Sequence, residues 1–241
     1  GVEAVLEYLQ SLAQGSSSDD IDLRSQNLEA VPVHVMQFNT MRGLLLDKND
    51  LKLLPSNLGT LRSLRILSVS ENKLEDIPDT VGMLDKLQEL HADGNKLSRL
   101  PATIGDLKSL EKLTLRNNDI TELPPEVGSL LQLSELDIRD NPNLHTMPLE
   151  MGRIESLKTF WFDVDPITFP QRDICSEGPR PTLKFLRLLY EASKSGRLDL
   201  SSTDYSLQTL HIPVERFSAL TELDLSGNYF SELPDFLFAL T

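Results

Sequence analysis

The sequence predicts an α/β solenoid: a curved stack of short coils with a parallel β-sheet on its concave face and helices capping the stack. Three observations lead there. Leucine supplies 47 of the 241 residues, far beyond its ordinary place as merely the commonest residue. Pro32, Pro55, Pro78, Pro101 and Pro124 fall 23 residues apart. Asn49, Asn72, Asn95, Asn118 and Asn141 keep the same step of 23. A fixed period between 20 and 50 residues is the signature of stacked repeats, in which one coil cannot bury its apolar side alone and neighbours must lie against it.

The elements follow in chain order. Residues 1–19 form a capping helix and linker: Val2, Val5, Leu6, Leu9 and Leu12 recur at helical spacing as one apolar stripe, and Gln14 to Asp20 is polar. The reading expects this helix to cover the edge of a solenoid. Residues 20–176 form the repeat block. The unit is L-x-x-L-x-L-x-x-N-x-L-x-x-L-P-x-x-I-G-x-L-x-x, and residues 64–86, 87–109 and 110–132 each fit it. In the first of these, Leu64, Leu67 and Val69 face inward around a short strand, while Ile66, Ser68 and Ser70 face out. Leu74, Ile77, Val81 and Leu84 fill the space behind that strand. The asparagine turns inward where the chain leaves the strand, its amide suited to backbone groups that water cannot reach. Proline follows the last buried leucine because it fixes φ where no ladder donor is needed.

The period then fails. Pro148 arrives after 24 residues through the insertion of Asn143, and the unit that begins at Leu157 has Asp165 in place of asparagine and ends short at Pro170. Residues 177–196 read as a helical cap and linker, with Leu183, Phe185, Leu186, Leu189 and Tyr190 at helical spacing to about Ser193. Residues 197–241 open a second repeat block, marked by Asn228 and Pro234. At a constant offset of 177, Leu6 matches Leu183, Tyr8 matches Phe185, Leu9 matches Leu186, Leu12 matches Leu189 and Ile21 matches Leu198. This reads as a long-range duplication of helix, linker and repeats, and the expectation is of a chain cut from something longer.

Thirty-seven acidic residues against 23 basic ones give a formal charge of −14. Phosphate backbones are bound by clustered Lys and Arg, so nucleic acid is not an expected partner. No uninterrupted apolar run reaches the ~18 residues of a membrane span, and membrane insertion is not expected. The lone Cys175 forbids an internal disulfide, and no asparagine is followed two places later by Ser or Thr; the expected setting is cytoplasmic. His34, His91, His145 and His211 lie in different coils without metal-ligand spacing. Cys175 sits in the terminating loop, and the glycines recur singly rather than as a phosphate loop. The sequence therefore predicts no catalytic residue, cofactor or metal site within this chain, and Cys175 is read as an inert, partly buried thiol.

The runs Leu100-Pro101-Ala-Thr-Ile104-Gly105, Leu123-Pro124-Pro-Glu-Val127-Gly128 and Ile77-Pro78-Asp-Thr-Val81-Gly82 resemble the leucine-rich repeats of intracellular Ras-group proteins, over about residues 20–176 and 197–241. The resemblance implies scaffolding or signalling, with a small GTPase or a phosphatase as partner. Helices also follow repeat blocks in the GTPase-linked Roco family, so a parent with further domains stays open.

What packing leaves over is the concave face. Its middle outward positions run Asp22, Leu45, Ser68, His91, Thr114, Asp137 and Trp161, and two residues further on come Arg24, Asp47, Ser70, Asp93, Arg116, Arg139 and Asp163. Such columns make a wide, shallow surface suited to a protein partner. The candidates for partner binding are His91, Asp93, Thr114, Arg116, Asp137, Arg139, Trp161 and Asp163. A solvated tryptophan beside Arg139, Asp137 and Asp163 has the composition of an interface hot spot; the competing reading packs Trp161 under the terminal loop and the helix near residue 185. His91, Asp93 and Arg116 form a second patch, or a set of ordinary solvated charges. The rival function is that of a recognition or regulatory arm of a multidomain enzyme, such as a kinase, GTPase, phosphatase or ubiquitin ligase.

Overall fold

The structure is a computed structural model that describes residues 19–201, 206–234 and 237. The helix expected over residues 2–12 lies outside the described residues. Strands β1 (Asp20–Asp22), β2 (Gly43–Leu45), β3 (Ile66–Ser68), β4 (Glu89–His91), β5 (Lys112–Thr114), β6 (Glu135–Asp137) and β7 (Thr159–Trp161) make one parallel sheet in chain order. The register advances by one repeat per strand, aligning Leu44, Leu67, Leu90, Leu113, Leu136 and Phe160. These centres are buried and their flanking residues in β3 and β4 half-buried, which is the alternation of a sheet with one face on the core.

Behind the sheet the chain returns through short 3₁₀ turns at Val33–Gln37, Leu58–Thr60, Asp79–Met83, Ala102–Asp106, Pro125–Ser129 and Leu149–Arg153. A proline with φ between −57° and −68° precedes five of them, because its ring presets the turn and its missing N–H is not called on there. Between sheet and turns lies the core: Leu64, Leu67, Val69, Leu74, Val81 and Leu84 are buried, and the coils that begin with β2, β4, β5 and β6 repeat them.

The asparagines are buried and fully employed. Asn95 Oδ1 accepts the Leu74 N–H at 3.0 Å, while Nδ2 donates to the carbonyls of Val69, Ala92 and Asp93 at 3.0–3.2 Å. Asn49, Asn72, Asn118 and Asn141 repeat the arrangement. Each amide therefore ties its coil to the coil before it. Replacing Asn95 with alanine leaves these groups unpaired out of reach of water, and urea unfolding should show a loss of about 1–3 kcal/mol.

Glycine spaces the convex side. A Cβ on Gly82 would lie 2.5 Å from the Thr103 carbonyl, and one on Gly105 would lie 2.6 Å from that of Glu126. Gly152 holds the same place in the last full coil, but its neighbour is the backbone of Arg187. Arg187 belongs to α2 (Pro179–Ser195), which follows the short α1 (Arg172–Ser176). The long helix thus takes the seat that the next turn would have filled. Its buried stripe is Thr182, Phe185, Leu186, Leu189 and Ala192, and Gly196 ends it in a left-handed conformation at φ 70° that other residues adopt only with strain.

After α2 a separate parallel sheet begins, β8 (Arg197–Asp199) with β9 (Glu222–Asp224). The seven-stranded sheet does not continue into it. The joint is instead made by side chains: buried Gln171 donates from Nε2 to the Thr209 carbonyl at 2.5 Å and accepts the His211 N–H at 3.0 Å, and Arg216 pairs with Glu150. Among the described residues no helix is long and apolar enough to cross a membrane.

Candidate functional site

The strands set the site residues in order, because each lies at an outward position of a three-residue strand or two residues beyond. Trp161 ends β7 and is 38% exposed, the largest exposed aromatic of the sheet face. Its inward neighbour Phe160 is buried, with the Phe162 ring at 4.8 Å. The Arg139 guanidinium lies 5.3 Å from the Trp161 ring centroid, within cation–π range. Arg139 is fixed by Asp137, which accepts from Nε at 2.9 Å and from Nη2 at 2.5 Å. That hydrogen bond holds the guanidinium above its already high ordinary pKa. Trp161, Arg139 and Asp137 therefore form one braced unit across β6 and β7.

Two of the outward positions do not stand free as expected. Thr114 and Asp137 are each only 7% exposed. Their role lies within the face: Thr114 Oγ1 donates to Asp93 Oδ2 at 2.6 Å, and Asp137 clamps Arg139. Asp93 also accepts the Arg116 N–H at 2.7 Å. Exposed Arg116 turns to Asp140, with Nε to Oδ2 at 2.6 Å, and that hydrogen bond likewise raises its pKa. Asp163 accepts the Asp140 N–H at 2.6 Å. The two candidate patches are consequently linked along the face, from Asp93 through Arg116 and Asp140 to Asp163.

His91 is half-buried and lies between Glu89 and Thr114, with Nε2 3.0 Å from Glu89 Oε2 and Nδ1 3.2 Å from Thr114 Oγ1. It also lines a polar depression with Arg24, Asp47, Lys48, Ser68, Ser70, Glu71 and Asp93. The sequence columns missed Glu89, Lys112 and Glu135, which belong to the same face; Lys112 pairs with Glu135 at 2.6 Å. Strand alternation two residues upstream would have found them. Asp140 has no such signal, since it sits in the loop past β6. Cys175 is fully buried, its Sγ directed at the Pro170 carbonyl at 3.3 Å, and burial pushes its thiol up to about 11.

Sequence families agree with this geometry. The family described as a leucine-rich repeat region matches residues 21–117, and the leucine-rich repeat family matches residues 109–130 and 219–240. The fold is a leucine-rich-repeat solenoid. No curated protein matches the chain. Among solved structures, the leucine-rich repeat domain of the type III effector XopL is similar at 20% identity and a TM-score of 0.59, over 99% of this chain and 79% of that one. The leucine-rich repeat ectodomain of the plant membrane receptor kinase GASSHO1/SCHENGEN3 from Arabidopsis thaliana, in complex with CASPARIAN STRIP INTEGRITY FACTOR 2, is similar at 26% identity and a TM-score of 0.55. That match takes in 88% of this chain and 24% of the ectodomain chain. A Leptospira interrogans leucine-rich repeat protein is similar at 23% identity and a TM-score of 0.49, over 98% of this chain and 78% of that one. Leucine-rich-repeat domains generally mediate protein–protein interaction.

Proposed function

We propose that this chain is a protein-binding module whose partner seats on the concave sheet face, in a scaffolding or signalling role. The observation behind it is the display of Trp161: a large indole 38% exposed at the end of β7, braced by Arg139. Aromatic and arginine side chains held rigid at low entropic cost are what hot spots are made of. Asp163, Arg116, Asp93 and His91 supply a polar rim, with Thr114 and Asp137 stiffening it from beneath. A small GTPase or a phosphatase is the partner class that the Ras-group resemblance favours, in a cytoplasmic setting, with no chemistry performed by this chain. The same reading divides the chain into a capping segment at 1–19, repeats at 20–176, a helical cap at 177–196 and a second block at 197–241.

The second reading, a recognition arm of a larger enzyme, is favoured by the similarity to a receptor kinase ectodomain. In both readings the concave face does the binding. The test is the double variant Trp161→Ala, Arg139→Glu in affinity capture. Loss of the captured partner with the unfolding midpoint nearly unchanged supports the proposal. Undiminished capture, or a collapse of stability that makes Trp161 a core residue, refutes it.

A further inference from the structure

We infer that the outer edge of β7 is a docking site of its own, which takes one extended segment of a partner protein as an added parallel strand. The inference comes from following the ladder to its end. In the inner coils the first residue past each strand gives its N–H to the next strand along: Ala92 to the Thr114 carbonyl, Leu115 to that of Asp137 and Ile138 to that of Trp161, at 2.8–2.9 Å. Two residues further on the chain gives a second one, Gly94 to the Arg116 carbonyl at 2.8 Å and Asn117 to that of Arg139 at 3.0 Å. In the β7 coil these two places belong to Phe162 and Val164. Neither N–H has an acceptor among the described residues. The strand β8 does not supply one, since it pairs with β9 in a separate sheet.

The free groups say what the occupant is. Two backbone donors two residues apart on one edge are matched by two carbonyls two residues apart on an extended chain. A helix spends its carbonyls on its own ladder and has none to offer sideways. Edge strands that are to stay unpaired are blunted by lysine, proline or a bulge, and from Thr159 to Asp163 this edge carries neither residue. Phe162 is half-buried, whereas its counterparts Leu115 and Ile138 are 0% and 2% exposed under the coil that follows them. An apolar residue beside Phe162 would complete its burial. Asp163, on the outward side, favours a cation across from it. The partner segment is therefore an extended one with an apolar residue followed by Lys or Arg. The site lies at the end of the sheet and not in its hollow, so it goes beyond the proposed function and stands or falls without Trp161 and Arg139.

The probe is a synthetic peptide with the sequence of Glu111 to Asn117, Glu-Lys-Leu-Thr-Leu-Arg-Asn, capped at both ends. Within the stack the Thr114 and Arg116 carbonyls of this segment accept from Ala92 and Gly94. Set one strand beyond β7 in the same register, it places Leu115 beside Phe162 and Arg116 beside Asp163. Amide hydrogen exchange of the intact chain, read in ¹H–¹⁵N spectra, is the measurement. Without peptide the Phe162 and Val164 amides should exchange fast while those of Leu115 and Ile138 are protected. With peptide in excess the two fast amides should slow towards their inner counterparts. A scrambled peptide with its leucines adjacent should leave them fast. Protection of both amides in the free protein, or exchange that the peptide does not slow, overturns the inference. Protection that rises with protein concentration in the absence of peptide makes a second copy the occupant and overturns it as well.

Discussion

Leu113→Ala is expected to cost about 2–5 kcal/mol, as truncations of fully buried leucines do. Leu113 is the centre of β5, is completely buried, and lies in register with Leu90 on one side and Leu136 on the other. The cavity would open in the middle of the stack, where two neighbouring coils are already locked in place by their asparagines and by the sheet. Neither can shift inward to fill it without breaking its own ladder, so the loss should fall towards the upper end of that range. Denaturant unfolding measures it. A near-neutral result would mean that Leu113 does not face the core, and since strand side chains alternate, the whole assignment of concave residues would move to the other face.

Phe185→Ala should cost about 3–5 kcal/mol, the scale for a buried phenylalanine, and the loss should be local. Phe185 is buried on α2, the helix seated on Gly152 and joined to β8. Repeat stacks are held by nearest-neighbour contacts, so loosening this helix should release what depends on it. Hydrogen exchange should show α2, β8 and β9 losing protection together while β2 to β6 keep theirs. Protection lost evenly along the chain would show instead that the two blocks unfold as one unit.

The solenoid was legible in the sequence because its coils must each satisfy the same demands. A leucine behind the strand, an amide at its exit and a proline at the turn are forced by burial, by unpaired backbone groups and by φ, and none can be traded without cost. The face was only half legible. Alternation says which residues point outward, and it located Trp161, but it cannot say which outward residues their neighbours will cover. Thr114 is tied to Asp93 and His91, and Asp137 to Arg139, by hydrogen bonds within the face. Asp140 and Gln171 were invisible for a different reason: both lie in irregular segments, where no period assigns a direction. The separation of the two sheets could not be read either, because it depends on α2 filling a seat that the linear pattern does not mark.

The glycine spine on the back of the stack sets a dimension of the front. Strands in the sheet keep a spacing of about 4.8 Å whatever lies behind them, so the arc they describe depends on how far apart the rear turns are pushed. With no Cβ at Gly59, Gly82, Gly105 and Gly128, those turns approach until backbone meets backbone, and the hollow is held broad and shallow. A methyl group there would act as a wedge and tighten the radius. Whatever settles in the hollow is thus sized by residues it never touches.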